Sequence, residues 1–209
     1  MHRVVVTGVG SVNACGAGVA AYVQALREGR CAIGEMTLFP VEGFRTRCAA
    51  VAPEVPLPLD LARPLARRLS RSDRMALAAA REAWRDAGLE LDRPRAARTG
   101  IAIGGTTGGM REAEDMLRDV DVGELERWPI RRLLSFPVSS TADLLAAVFD
   151  CRGEHTTVST ACSSSANAVG LAADAIQEGR ADVVLAGGTE AHCKLTYAGF
   201  NALQALDSG

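Results

Sequence analysis

The sequence predicts an α/β fold in which a mainly parallel mixed sheet is covered by helices on both faces. Three observations support this class. Short β-rich runs alternate with segments of helical periodicity along the 209 residues. The β-rich runs at residues 3–7, 99–103 and 182–186 end in glycines. Aromatic residues make up only 4% of the chain, so small aliphatic residues must fill the core, which favours close packing of helices on a sheet.

The first predicted unit is a strand, a loop and a helix. Residues 3–7 form a β-rich run that we expect to be a buried strand, and this run ends in Gly8-Val9-Gly10. A helical pattern follows over residues 19–27. We expect one face of this helix to carry Val19, Val23 and Leu26.

A proline-rich segment at about residues 35–69 interrupts the alternation. Five of the eight prolines of the chain fall within it. Proline at this density blocks regular helices and central strands. We therefore expect an irregular excursion that covers the surface of the domain and carries no catalytic group.

The second unit begins with a strong helical pattern over residues 72–87. Either Ser70 or Ser72 can cap the N-terminus of this helix. A second buried strand is predicted at residues 99–103, and it runs into the glycine-rich stretch 104–109.

The remainder of the chain continues the same alternation. Strands are predicted at residues 156–159 and 182–186, with a helix over residues 162–177 between them. One face of that helix carries Ala166, Val169, Ala173 and Ile176. Residues 111–150 are expected to hold further helices, with breaks at Pro129 and Pro137.

Composition and charge exclude several classes of protein. A formal net charge of -2 argues against a dedicated nucleic-acid binder, which usually carries a strong basic excess. No apolar run approaches the length needed to span a bilayer, and the apolar part of the N-terminus is too short for a signal peptide, so we expect a cytoplasmic protein. The six cysteines show no metal-ligand spacing, and we expect neither a metal nor a cofactor.

Two glycine-rich stretches invite comparison with nucleotide-binding motifs. Gly8-Val9-Gly10 follows a predicted strand, but Asn13 stands where the dinucleotide fingerprint needs a third glycine. Residues 104–109 lack the Lys-Ser/Thr of a phosphate-binding loop. We interpret the first stretch as a tight turn and the second as a place where the backbone approaches a ligand closely. A hydride-transferring dinucleotide enzyme is an outside alternative.

The most informative segment is Val158–Ala168, where a predicted strand ends and a helix begins near Cys162. A cysteine at a helix N-terminus meets the positive end of the helix dipole, which favours the reactive thiolate. The unpaired N–H groups there can also hold a developing oxyanion, and Ala161 leaves room for a long substrate beside the sulfur. Cys162 is therefore either a nucleophile or a small buried residue at a tight turn, and its local sequence leaves both interpretations open.

The other cysteines and the three histidines lack such a context. We expect the other five cysteines to fill the core. Structural or surface roles are expected for His2, His155 and His192.

Five motifs follow one another in a specific order and spacing: Val4–Gly10, Gly104–Gly109, Thr160–Ser165, Ala181–Glu190 and Gly199–Leu203. Together they resemble the N-terminal half of a β-ketoacyl-acyl-carrier-protein synthase of the FabF-like condensing-enzyme family. The resemblance covers nearly the whole chain. The Thr-Ala-Cys-Ser-Ser-Ser motif is also that of polyketide synthases, so fatty acid and polyketide biosynthesis fit the resemblance equally well.

The resemblance implies the N-terminal half of a thiolase-like fold and the chemistry of a condensing enzyme. Cys162 would accept an acyl group from an acyl carrier protein as a thioester, and a carbanion from decarboxylated malonyl-carrier protein would then attack that thioester. The Cys162 N–H would form part of the oxyanion hole. Thr107 and Phe200 match residues that line the acyl pocket, and relatives often carry a larger apolar residue at the position of Thr107.

The resemblance also implies what the chain lacks. Family members place two catalytic histidines and a lysine in their C-terminal half, and neither the three histidines nor Lys194 matches these positions. We therefore expect residues 1–209 to be an incomplete N-terminal domain that is inactive alone. A homodimer, or a heterodimer with a second ketosynthase-like subunit, is expected, with the segment around residues 105–160 contributing much of the contact. The alternatives are a non-catalytic partner like a chain-length factor, although such partners usually lack the cysteine, and a CoA-dependent thiolase-type acyltransferase.

Overall fold

A computed structural model describes residues 2–57, 59–90, 93–119 and 130–207 of the chain. In these ranges the strands are β1 (Val12–Asn13), β2 (Gly16–Ala17), β3 (Gly34–Glu35), β4 (Cys48–Ala49), β5 (Thr99–Gly104), β6 (His155–Val158) and β7 (Val183–Gly188). The α-helices are α1 (Val19–Arg27), α2 (Arg63–Ala66), α3 (Arg71–Asp86), α4 (Arg93–Ala97), α5 (Met110–Asp119), α6 (Ser140–Phe149), α7 (Ser164–Gln177) and α8 (Lys194–Ala202). Two 3-10 helices span Ile130–Ser135 and Ala161–Ser163.

The centre of the molecule is a three-stranded parallel sheet in the order β6-β5-β7. Successive residues of a strand point to opposite faces, and β5 is buried along its whole length. Ile101 and Ile103 meet a cluster that includes Leu77 of α3 and Leu145 of α6. On the opposite face Ala102 packs in a cluster with small residues of α7, namely Ala168 and Ala172. The small residues of β5 therefore pack against α7, and the large ones pack against α3 and α6.

Helix α3 begins with a complete capping box. The Asp73 N–H donates to the Ser70 hydroxyl (3.1 Å), and the Ser70 N–H donates to the Asp73 carboxylate (3.0 Å). Asp73 also accepts the hydroxyl of Thr141 on α6 (2.7 Å). Of the two serines that could cap this helix, Ser70 is the cap, and the hydroxyl of Ser72 donates to the carbonyl of Gly108 instead.

The prediction of a buried strand at residues 3–7 is wrong. These residues are outside every strand of the described chain, and Val5 and Val6 are 55% and 81% exposed. A strand needs a neighbour to pair with, and this segment lies instead along α3 and across a cleft of about 650 Å³ from β7. A Cβ on Gly8 would lie 2.7 Å from the Ala87 N, so this glycine serves close packing on a helix rather than the expected tight turn.

Two of the helix faces also differ from expectation. On α1 the buried residue is Ala25, whereas Val23 and Leu26 of the predicted apolar face are exposed. On α7 none of the residues of the predicted face is buried. The buried residues of this helix are Ser164, Ala168, Ala172 and Ala175. Periodicity shows which residues share a face, but α7 is apolar on most of its circumference. The face of α7 that packs on the sheet is the one with the smallest side chains, because small side chains allow the helix to approach the sheet most closely.

The proline-rich excursion is tied to α3 by ion pairs and to α8 by an apolar cluster. Arg71 and Arg74 of α3 both pair with Glu54, and Arg81 pairs with Asp60 (3.0 Å). A separate apolar cluster of Met36 and Phe39 with Tyr197 packs the start of the excursion on α8. Regular structure at the excursion consists of α2 and the antiparallel pair of β3 and β4 in the described residues.

Two further expectations concern helices. The break at Pro137 is observed, because this residue lies between the 3-10 helix Ile130–Ser135 and α6. The break at Pro129 falls outside the described residues, as does the segment 120–129. Within the described ranges, no helix has both the length and the apolar composition that crossing a bilayer requires.

Candidate active site

Cys162 lies in the turn that connects β6 to α7. The chain leaves β6, makes the 3-10 turn Ala161–Ser163 and enters α7 at Ser164. The Ser164 hydroxyl donates to the Ala161 carbonyl (2.6 Å) and accepts from the Thr160 N–H (2.9 Å). Ala161 has a φ of 54°, a left-handed conformation that costs roughly 1–2 kcal/mol in a residue other than glycine. These hydrogen bonds hold the strained turn, and Cys162 comes to the N-terminus of a 14-residue helix.

Two glycines allow the N-terminus of α7 to lie directly on the sheet. Gly104 and Gly188 are the last residues of β5 and β7 and are partners in the register of the two strands. A Cβ on Gly104 would lie 2.5 Å from the Ser164 carbonyl oxygen, and one on Gly188 would lie 2.5 Å from the Cβ of Ser165. At Gly104, the close approach that we expected to a ligand is an approach to the protein itself, and Gly188 packs in the same way. It sets the Cys162 turn against the carboxyl ends of β5 and β7.

The Cys162 side chain is exposed rather than buried at its turn. Within the described part of the chain, its backbone N–H meets no hydrogen-bond acceptor, whereas the next N–H, of Ser163, donates to the Thr160 carbonyl. Asn167, one helical turn further on, donates to the Thr160 hydroxyl (2.7 Å). The thiol is thus accessible, and an unpaired N–H at the start of a helix stands beside it, as an oxyanion hole requires.

All four residues that the sequence singles out border one cavity. Its volume is about 990 Å³, and Cys162, Ala161, Thr107 and Phe200 all line it. We call it the Cys162 cavity. Its wall is built from β5 and β7 ends, the β1–β2 region, the excursion and α8, and most of this lining is apolar. A cavity of this size whose exposed lining is mostly apolar suits a long apolar substrate.

The three histidines lie in different places relative to this cavity. His192 lines it, and its Nε2 lies 3.2 Å from the Ala50 carbonyl oxygen. A carbonyl oxygen only accepts, so this contact makes Nε2 the protonated nitrogen. His155 stands at the start of β6, where its Nε2 contacts the Cys151 carbonyl, and His2 lies beside Gly179. Neither His2 nor His155 lines the Cys162 cavity.

The other cysteines divide into three environments. Burial, with a smaller effect of Asp150, raises the pKa of the Cys151 thiol to about 11. Cys193 is also buried, and its sulfur lies 2.9 Å from the Thr196 hydroxyl. The expected core-filling role fits these two thiols, but Cys31 and Cys48 are exposed and Cys15 is partly exposed. Within the described residues, no group of three or more His, Cys, Asp or Glu side chains could hold a metal ion.

Sequence reasoning assigned no site role to several polar residues of the cavity wall, among them Glu190 and His192. Both follow β7, in the loop after its final glycines. Their positions become visible only when the ends of β5 and β7 are placed side by side. The signal available in the sequence is the Gly-Gly-Thr-Glu run at the end of a predicted strand, because polar residues at the carboxyl ends of parallel strands commonly border a site.

The fold and the site define an α/β protein that presents a candidate thiol nucleophile at a helix N-terminus beside a large apolar cavity. The chain belongs to the β-ketoacyl synthase family, because the family model for the N-terminal domain of β-ketoacyl synthases matches residues 1–209.

Individual relatives agree with this assignment. The chain is 36% identical over 213 residues to a putative polyketide beta-ketoacyl synthase 1 of Streptomyces cyaneus, covering 98% of this chain and 50% of the relative. It is 32% identical over 211 residues to the 3-oxoacyl-[acyl-carrier-protein] synthase 2 of Coxiella burnetii, covering 99% of this chain and 50% of the relative. The solved ishigamide ketosynthase/chain length factor is 30% identical with a TM-score of 0.85, covering 97% of this chain and 51% of that chain. The chain therefore spans about half the length of the relatives it matches.

These similarities confirm two expectations from the sequence. The resemblance to β-ketoacyl synthases of fatty acid and polyketide biosynthesis is confirmed by the family match and by the relatives. The thiolase-like α/β fold is confirmed by the ketosynthase structure and by the parallel sheet with helices on both of its faces. The protein is thus a domain of a family of acyltransferases.

Proposed function

We propose that Cys162 is the acyl-accepting nucleophile of a β-ketoacyl-acyl-carrier-protein synthase. The single observation that carries the proposal is the exposed Cys162 thiol, which stands at the start of α7 beside its own unpaired N–H and on the wall of a large apolar cavity. The similarity to an enzyme named for its acyl-carrier-protein substrate supports the choice of an acyl carrier protein as donor.

In the proposed first step, the thiolate attacks the carbonyl carbon of an acyl thioester. A new thioester bond forms at Cys162 as the bond between the acyl carbon and the carrier sulfur breaks, and the carrier leaves as a thiolate that takes up the proton Cys162 gave up. The negative charge on the carbonyl oxygen of the tetrahedral intermediate is stabilised by the Cys162 N–H and by the positive end of the α7 dipole. The apolar wall that includes Ala161 and Phe200 holds the acyl chain.

In the proposed second step, malonyl-carrier protein loses carbon dioxide, and the resulting carbanion attacks the acyl carbonyl. A carbon–carbon bond forms, and the Cys162 thiolate is released. This step needs hydrogen-bond donors for the decarboxylation, and His192 is the one histidine that lines the cavity, with its Nε2 hydrogen already bonded to Ala50. We therefore propose that the 209-residue chain loads acyl groups but does not elongate them by itself.

Mass spectrometry tests both parts of the proposal. The purified chain is incubated with acyl-carrier protein, and the expected result is one added acyl group on a peptide that contains Cys162. The same incubation with malonyl-carrier protein present is expected to yield no 3-ketoacyl product. Cys162→Ala should abolish loading, whereas Cys31→Ala, which removes another exposed thiol, should leave it unchanged. Loading that survives Cys162→Ala contradicts the assigned nucleophile, and clear 3-ketoacyl product contradicts the proposed inactivity in elongation.

A second candidate is a non-catalytic partner subunit, because a chain length factor is part of a solved ketosynthase structure that resembles this chain. The presence of Cys162 argues against this role. The proposed partners are an acyl carrier protein and either a second copy of the chain or a different ketosynthase-like subunit. Acyl transfer from CoA but not from carrier protein would favour the thiolase-type alternative. Retained activity of a complex carrying Cys162→Ala in this chain would favour the partner subunit.

A further inference from the structure

Glu190 binds the glycine-rich loop after β5 through three hydrogen bonds. Its Oε2 accepts from the Thr106 N–H (2.8 Å), and its Oε1 accepts from the Thr107 N–H (3.0 Å). Oε1 also accepts the Thr107 hydroxyl. Both amides and the hydroxyl belong to consecutive residues, so a single carboxylate fixes the backbone and the side chain of this part of the loop.

The neighbouring hydrogen bonds show why a side chain is needed at this point. The Gly105 N–H donates to the carbonyl of Val158 at the end of β6 (3.1 Å). The Gly104 carbonyl accepts the N–H of Thr189 after β7 (3.1 Å). The loop is thus bonded to both neighbouring strand ends, and the next two amides are satisfied by Glu190. We call the three hydrogen bonds of this carboxylate the Glu190 clamp.

The Glu190 clamp controls a residue of the Cys162 cavity wall. Thr107 lines the cavity and is only 7% exposed. Its hydroxyl is engaged by Glu190, so the side chain is held in one rotamer and the hydroxyl is turned to the carboxylate rather than to a bound chain. Without the carboxylate, two amides and one hydroxyl lose their acceptor, and the side chain becomes free to rotate.

We propose that Glu190 is a positioning residue that fixes Thr107 in the cavity wall and thereby limits the length of the acyl chain that the cavity accepts. The proposal rests on the proposed function for the nature of the ligand, but the clamp itself can be tested without acyl transfer. Glu190→Gln removes the charge and leaves one acceptor oxygen. Thr107→Val keeps the shape of the side chain and removes only the hydroxyl.

The first measurement is hydrogen–deuterium exchange of the 209-residue chain. Glu190→Gln is expected to speed exchange of the Thr106 and Thr107 amides by about tenfold or more, as loss of a charged acceptor implies. Thr107→Ser retains the hydroxyl and should keep the wild-type protection. The matched control is Asp86→Asn, which removes a carboxylate that accepts one backbone N–H, from Val9, away from the Cys162 cavity.

The second measurement is the rate of Cys162 modification by ethyl and decyl methanethiosulfonate, followed by mass spectrometry. Each reagent transfers its alkylthio group to the thiolate and releases methanesulfinate. If the clamp limits chain length, the decyl-to-ethyl rate ratio rises by roughly threefold or more in both Glu190→Gln and Thr107→Val. The ratio in the double variant is then no higher than in either single variant, because both substitutions break the same clamp. A merely structural role would not alter this ratio.

The outcomes separate this proposal from the proposed function. Because the reagents modify the thiol chemically, a chain that fails to accept acyl groups still reports on the clamp. A ratio within about twofold of wild type in Thr107→Val overturns the proposal, even if Glu190→Gln fails to fold. An equal rise in Asp86→Asn also overturns it, because the effect would then come from general loosening of the chain.

Discussion

Replacing Gly104 with alanine tests whether close backbone packing sets the position of Cys162. The added Cβ would lie 2.5 Å from the Ser164 carbonyl oxygen and closer still to the Ser164 carbon and the Ser165 nitrogen. All three are backbone atoms, so no side-chain rotation relieves the overlap. Ordinary contact begins at 3.4 Å, so the start of α7 must retreat from β5 by about 1 Å.

The size of the effect follows from the cost of overpacking. Forcing an extra carbon into a well-packed site costs about 1–3 kcal/mol. For a chain of this length each kcal/mol lowers Tm by about 2–4 °C, so Gly104→Ala is expected to lower Tm by roughly 2–12 °C. The turn that carries Cys162 precedes α7 directly, so its retreat should also change the rate of Cys162 labelling by iodoacetamide.

Gly170 provides the matched control in the middle of α7. A Cβ there would meet nothing within 4 Å, and the residue has no positive φ. Gly170→Ala should therefore stabilise the chain by about 0.5–1 kcal/mol, because alanine favours the helix and loses less entropy on folding. Thermal and urea unfolding of both variants provide the test. If Gly104→Ala unfolds at or above the wild-type midpoint, close packing at this glycine does not position the helix.

Three further predictions concern thiols and a helix cap. Limited iodoacetamide labelling is expected to modify Cys162 before the exposed Cys31, because the Cys162 thiol stands exposed beside an unpaired N–H at the start of α7. Earlier labelling of another thiol in the peptide map would contradict this. Cys151, whose pKa is raised to about 11 by burial, should be labelled more slowly at pH 8 than the exposed Cys31, and its labelling should accelerate as the pH approaches 11. A rate equal to that of Cys31 at pH 8 would contradict the burial. Ser70→Ala should destabilise the chain by about 1 kcal/mol in urea unfolding, because the Asp73 N–H loses its acceptor, and an unchanged midpoint would count against the cap.

Much of the fold could be predicted where local pattern and tertiary environment agree. The strand at residues 99–104 is a continuous run of small and β-branched residues, because both of its faces are buried. Helix α3 could be predicted from its helical pattern and from a serine at its start, and the structure shows Ser70 as the cap. The N-terminal run at residues 3–7 has the same composition as a buried strand, but composition does not supply the pairing partner that a strand needs.

The candidate site could be predicted in part. Cys162 has a local signal, because strand, turn and helix follow one another in the sequence. Thr107 and Phe200 come from the resemblance to a family, and the structure brings both to the cavity that Cys162 lines. The Gly-Gly-Thr-Glu run points to Glu190, but nothing local indicates what it binds, since its three donors are more than 80 residues away along the chain.

The alternation of strands and helices, the family and the position of the candidate nucleophile could all be predicted, because each depends on residues that are neighbours along the chain. Contacts between distant segments determine which faces of α1 and α7 are buried, where residues 3–7 lie and which carboxylate holds the loop at Thr107. These features depend on which strand ends and helix faces meet in space. The small residues Gly104, Gly188 and Ala168 allow α7 to pack closely on the sheet. This packing can be recognised only when the position of the opposing backbone is known.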